Sequence, residues 1–373
     1  MARSDVESGR SADPLAYKSP YELWKESEGL PTIRGLIVDD LYTVPLAPWK
    51  SRGGSGVFIN LAGSGGFNDA YVCEIPPAGS LQPRRHIYEE STFILRGQGA
   101  TTVWIEGKPK QTFEWQEHSF FAIPPNAWYQ HHNLSGSEPT RYVSMTTAPR
   151  TIDQFRNLDF VFNNPFVFTD RFNGETGYFQ EIPREKSQGR RWESNFVANV
   201  MDVTLRAQDS GDKRGVGAVG VPFDMVNCTV KSHSSTWPVG TYKKSHRHGP
   251  GIHVIILRGH GYSLMWPEGA PMQRFDWGPG AMFVPPEMWW HQHFNAGDDP
   301  IVFLAIGWGN DKPKMDGTGY GMDISVKEGG DQIEWEDEDP SVHRDFEAAL
   351  AKVGASCMMG GVHPFCTAPA RAR

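Results

Sequence analysis

His246-Arg247-His248, Val254-Ile255-Ile256-Leu257-Arg258-Gly259-His260-Gly261, Phe275-Asp276-Trp277 and Val284-Pro285-Pro286-Glu287-Met288-Trp289-Trp290-His291-Gln292-His293 are stretches that this chain spells twice. The first spelling is Arg84-Arg85-His86, Thr92-Phe93-Ile94-Leu95-Arg96-Gly97-Gln98-Gly99, Phe113-Glu114-Trp115 and Ile123-Pro124-Pro125-Asn126-Ala127-Trp128-Tyr129-Gln130-His131-His132. Repetition at a spacing of about 160 residues marks a duplicated folding unit. Within each copy the text breaks into short β-rich runs closed by Gly, Pro or Asn, the rhythm of a small antiparallel barrel or jelly roll. Tyr262, Leu264 and Trp266 alternate with Ser263 and Met265 behind a Gly259-His260-Gly261 turn, which predicts a hairpin arm with two distinct faces.

The rest of the chain is divided around these copies. The 373 residues suit two domains with connecting and terminal segments. We expect an N-terminal arm over 1–57, a first barrel over 58–149, a linker over 150–221, a second barrel over 222–310 and a C-terminal extension over 311–373. With 40 Gly, 28 Pro and 13 Trp, the composition favours strands and turns over long helices, so the predicted fold class is all-β. Short helices are predicted in the terminal segments, at 19–28, where Ser19 would cap and Pro20 take the first position, and at 341–352, and the linker is expected to hold some structure.

A net charge of −8 without a long basic run gives no electrostatic basis for binding nucleic acid or anionic lipid. The polar stretch 1–13 has no apolar segment of secretory type, and no run approaches the ~20 apolar residues of a membrane span. A cytoplasmic protein with reduced thiols at Cys73, Cys228, Cys357 and Cys366 is expected. Exposed strand edges predict association into a homo-oligomer or cover by the terminal arms.

The chemistry lies in the second copy. Residues two apart in a strand share a face, so His246 and His248 point together, and His291 arriving from a distant strand completes one face of a metal site. Neutral imidazole suits iron, zinc, copper and nickel, and three protein ligands leave positions open for substrate. His293 has the parity of His291, and a substrate-facing or proton-handling role is open to it beside a packed one. Trp266, Trp289, Trp290 and Trp308 are candidates for an aromatic wall, Tyr242 for a lid, and Arg247 alternates outward between two ligands.

This text resembles the two motifs of the cupin superfamily, Gly-x5-His-x-His and Pro-x4-His-x3-Asn, and its duplication resembles a bicupin of two tandem jelly-roll β-barrels. The second copy is similar to the gentisate and salicylate 1,2-dioxygenase group. The resemblance implies Fe(II) on His246, His248 and His291, with dioxygen and a small anionic or aromatic substrate as partners. Many cupins add a glutamate shortly after the His-x-His; here those positions are Ile252 and His253, which argues against oxalate-type manganese cupins and leaves His253 as a candidate fourth ligand or supporting residue. Catalytic candidates are therefore His293, Trp290 and His253. A metal-dependent lyase or isomerase on the same histidines, and a non-catalytic bicupin, are the alternatives.

The first copy departs from this pattern. Gentisate dioxygenases carry their metal in the first barrel, whereas this copy, aligned on the double prolines, has Arg84 and Gln130 at two ligand positions. An Arg84–Glu90 ion pair and a structural barrel are expected, with His86, Glu90 and His132 as a residual ligand set.

Overall fold

A computed structural model describes residues 5–6, 18–180, 184–185, 192–207, 214–308 and 321–369. Most of the stretch 1–13, the start of the C-terminal extension and the side chain of Trp308 lie outside these residues. Eight strands build the first barrel: β1 (Gly54–Leu61), β2 (Asp69–Ile75), β3 (Glu90–Arg96), β4 (Gln98–Trp104), β5 (Gln111–Gln116), β6 (Phe120–Ile123), β7 (Trp128–Asn133) and β8 (Thr140–Thr146). The second barrel repeats them as β9 (Val219–Asp224), β10 (Val230–Trp237), β11 (Ile252–Arg258), β12 (Gly261–Trp266), β13 (Gln273–Trp277), β14 (Met282–Phe283), β15 (Trp290–Phe294) and β16 (Ile301–Trp308).

In each barrel a large sheet faces a three-stranded one. The order β1-β2-β8-β3-β6 returns as β9-β10-β16-β11-β14, and β7-β4-β5 returns as β15-β12-β13, a jelly-roll arrangement in both cases. Alternation along the strands then separates two cores. Phe58, Tyr71, Ile94, Phe121 and Tyr142 point into the first barrel, and Trp237, Val254, Ile256, Phe283 and Phe303 into the second. Val57, Ile59, Val72, Phe93 and Val143 face the other way and meet Val221, Phe223, Ile255, Leu257 and Leu304 in one shared cluster. The two large sheets are thus packed back to back, each covering apolar surface that a lone barrel would expose to water.

The connecting segments belong to the barrels. Ile37–Val38 of the N-terminal arm pairs with β14 of the second barrel, while Phe196–Val197 of the linker pairs with β6 of the first. Each short strand covers a sheet edge that would otherwise be open. Helix α1 (Pro20–Glu28) is capped as expected, with Ser19 Oγ accepting from the Glu22 N–H at 3.3 Å. Three further helices, α2 (Ala148–Phe155), α3 (Leu158–Asn163) and α4 (Val200–Arg206), lie between the barrels in sequence, so helices are not confined to the terminal segments. Helix α5 (Pro340–Lys352) lies over the outer face of the second barrel, where Phe346 and Leu350 pack with Tyr242, Tyr262 and Phe294.

Candidate metal centre

Inside the second barrel, ligand atoms of His246, His248 and His291 lie within 4.8 Å of one another. Backbone bonding fixes the approach: the His246 N–H donates to His291 O at 3.1 Å, and the His291 N–H donates to His246 O at 2.9 Å. Each ring is oriented by its other nitrogen, because Nδ1 of His246, His248 and His291 contacts the carbonyls of Lys244 (3.2 Å), Gly249 (2.7 Å) and Trp289 (3.0 Å). A carbonyl can only accept, so each Nδ1 carries the proton and each Nε2 presents a lone pair. Burial lowers the pKa of all three, followed by neighbouring charge: His246 and His291 fall well below the ordinary range and His248 to about 4. Three neutral, preoriented imidazoles with converging lone pairs fit a first-row divalent metal, and no carboxylate shares the cluster among the described residues.

His293 stands beside this trio, its ring 5.5 Å from that of His291 and 5.3 Å from that of Phe283. Its Nδ1 shares a 2.8 Å hydrogen bond with Ser263 Oγ, which also accepts from the Trp277 indole N–H at 2.8 Å. Burial first, then the Lys243 charge, pushes its pKa down to about 3. Two cations therefore act on the cluster that sequence reading passed over. Lys243 is buried against Trp237 and Phe303, and Arg214, whose charge depresses all four histidines, also approaches Asp323 at 3.5 Å. Lys243 sits in a polar run that reads as a solvated face, and Arg214 falls in the assigned linker, so neither carries a local mark.

Other candidates lie elsewhere. His253 alternates with Val254 and Ile256 and points to the opposite face of β11, among the residues between the barrels; its Nδ1 bonds Gly251 O at 3.3 Å and it is outside the metal cluster. Trp290 has the parity opposite to His291 and His293. It lies on the outer face, bonded through its indole N–H to Glu268 Oε2 at 2.9 Å, with the Arg247 guanidinium 4.4 Å above the ring. Trp266 pairs with it across the strands on the same face, so these two do not form an aromatic wall. Tyr242 is fully buried beneath α5, donating to Glu338 Oε1 at 2.7 Å, and is no lid. Instead the C-terminal extension reaches the mouth: Gln332 bridges to His246, and the Arg247 N–H donates to Asp331 O.

The first barrel supplies the comparison. Tyr129 exchanges backbone hydrogen bonds with Arg84 as His291 does with His246, and Trp115–Thr101–His131 repeats the Trp277–Ser263–His293 chain. Tyr129 and His131, rather than Gln130 and His132, are thus the counterparts of His291 and His293. Matching the double prolines slips the register by one residue, and one residue in a strand reverses every side chain. His132 faces outward to Ser80 and Thr102, so His86, Glu90 and His132 do not converge. Nor does Arg84 pair with Glu90: its guanidinium stacks over Trp24 and Phe162, and Glu90 is held by His86 (3.0 Å), Tyr129 (3.1 Å) and Tyr71. Both barrels share strand order, residue correspondence and pseudo-symmetric edges.

The chain has the bicupin fold, two tandem jelly-roll barrels.

No family model matches this chain. A gentisate 1,2-dioxygenase from a Ralstonia species is 34% identical to it over 68 residues, covering 18% of this chain and 18% of that protein. Oxalate decarboxylase of Bacillus subtilis, in a structure used to study its Mn(II) centres, is similar with a TM-score of 0.49 and 13% identity over 74% of this chain and 78% of that one. Another structure, of a mutant of the same enzyme, covers 82% of this chain and 88% of its own, also at a TM-score of 0.49. One short stretch and a general likeness of shape carry neither substrate nor metal across, so function is argued from the site.

Proposed function

We propose that the protein is a non-haem Fe(II) dioxygenase acting on a small anionic, chelating substrate such as a hydroxylated aromatic acid. The observation that carries this reading is a trio of neutral imidazoles with no carboxylate beside it among the described residues, with the Arg214 charge acting on it and Lys243 acting on the neighbouring His293. Iron, when bound by His246, His248 and His291, would supply redox chemistry and coordination positions for substrate and dioxygen. Among the described residues no protein anion joins the trio to offset its charge, which favours a substrate that brings its own. Lys243 and Arg214 add to the positive potential and would orient such an anion, while His293, tuned by Ser263 and Lys243, would hold or move a proton at its free ring nitrogen. The short match to gentisate 1,2-dioxygenase supports the same chemistry.

A second reading is a metal-dependent lyase, favoured by the likeness in name to oxalate decarboxylase but not by the donor set, in which Ile252 occupies the place that Glu90 has in the first barrel. Oxygen use separates the two. Anaerobic Fe(II) loading followed by oxygen-uptake screening against hydroxybenzoates, aminophenols and diketones should find one O₂ consumed per substrate converted. Turnover that continues without oxygen, or with Zn(II) alone, would establish the lyase instead. The exposed apolar residues Phe155 and Phe160, whose rings pack 4.7 Å apart, and Leu158 and Phe166, each more than two-fifths exposed, fit the expected homo-oligomer, which analytical ultracentrifugation would reveal.

A further inference from the structure

Behind the second barrel, His343 and Glu347 rise one turn apart on α5 and meet Cys357 and Cys366 from the segment that follows it. Their ligand atoms all lie within 4.8 Å of one another. The Cys357 and Cys366 sulfurs are 3.3 Å apart and both are free thiols; His343 Nε2 is 3.9 Å from Cys357 Sγ and 3.3 Å from Glu347 Oε1. Around a tetrahedral zinc, bonds of about 2.3 Å to sulfur and about 2.0–2.1 Å to nitrogen or oxygen set neighbouring donors about 3.3–3.8 Å apart. We propose that Cys357, Cys366, His343 and Glu347 form a structural Zn(II) site distinct from the barrel centre.

The proton positions favour a cation here. Tyr242 donates its only hydroxyl proton to Glu338 Oε1 at 2.7 Å, so its 3.0 Å contact with His343 Nδ1 is a bond that the imidazole donates. His343 Nε2 then presents a lone pair toward the Glu347 carboxylate at 3.3 Å, acceptor against acceptor without a cation, and toward the two thiols, whose sulfurs would ligate a cation as thiolates. Glu338, Tyr242 and His343 form the relay that fixes the tautomer of a metal-bound histidine, and His363 supports it by donating to the same Glu338 oxygen at 3.1 Å. Two thiolates and an imidazole are a donor set that selects zinc over the hard cations. The site would pin the tail to the barrel: the Met358 N–H donates to Gly240 O at 2.8 Å, and a Cβ on Gly240, at φ +75°, would stand 2.2 Å from Ser356 O.

The test uses full-length protein prepared under reducing conditions, with zinc content measured and the zinc then replaced by Co(II). One zinc per chain is expected, with a thiolate-to-cobalt charge-transfer absorption that three histidines cannot give. The double variant Cys357→Ser, Cys366→Ser should lose that zinc and that absorption while keeping metal at the barrel histidines, and Glu347→Gln should weaken zinc retention with both thiols intact. A cobalt protein lacking the absorption, a mass lower by two hydrogens that shows a Cys357–Cys366 disulfide, or an absorption surviving the double substitution would overturn the proposal. None of these outcomes depends on the barrel reaction.

Discussion

Each imidazole of the barrel cluster donates its Nδ1 proton to a backbone carbonyl near its own turn, so the lone pairs point inward without help from other side chains. The pairing of His246 with His248 was legible because a two-residue spacing fixes a shared face, and His291 followed from the duplicated text. Lys243 and Arg214 were not legible, since nothing local distinguishes an inward cation from a solvated one. Replacing Arg214 by Gln should raise KM for an anionic substrate by about tenfold or more with metal content unchanged, as loss of about 1.5–3 kcal/mol from a charged contact implies. Acid should also destabilise the metal-free protein through histidines outside the cluster. Burial holds His131 at about 3 and His253 at about 4, below an ordinary value near 6.5, so the unfolded chain binds protons that the folded one does not. Stability present above pH 6.5 is therefore lost as pH falls toward 4, by about 1.4 kcal/mol per pH unit for each group. Denaturant titrations at pH 7 and pH 4.5 should show that fall, and equal stability at both would contradict the assignment of these rings as buried and neutral.

Strand parity decides which aromatic and polar residues reach the site, and it is at this scale that the text misled. Trp290 and Trp266 share the outward face of β15 and β12, and His253 shares the outward face of β11 with Ile255. In the first copy the double prolines invited a register one residue out, which the backbone pairing of Tyr129 with Arg84 and the Trp115–Thr101–His131 chain correct. A further link joins α5 to the metal strand: Gln292, between His291 and His293, donates to Glu338 Oε2 at 2.6 Å, while Tyr242 and His363 bond the other oxygen. Replacing Glu338 by Ala leaves three buried partners unsatisfied. Unfolding free energy should drop by about 2–4 kcal/mol, with the second barrel losing protection from hydrogen exchange before the first.

Over the whole molecule, the fold was readable because duplication is visible as repeated text, whereas the crossing of segments between barrels was not, since it depends on contacts remote in sequence. The arm strand Ile37–Val38 completes the second barrel's sheet, and Leu41 donates to Gly280 O at 2.8 Å while Arg141 of the first barrel donates to Tyr42 O at 2.5 Å. Deleting residues 1–45 should therefore destabilise the second barrel although the first follows it in sequence, visible as faster proteolysis within 219–308 and faster metal loss. The duplicated barrels, one with three converging imidazoles and the other with a Tyr129–Glu90–His86 network in the same place, assign the working centre to the second. Iron content per chain in His248→Ala and His86→Ala proteins tests that assignment most directly. The account predicts that the first substitution abolishes stoichiometric iron with the fold largely retained and that the second leaves it unchanged; iron retained in His248→Ala and lost in His86→Ala would contradict it.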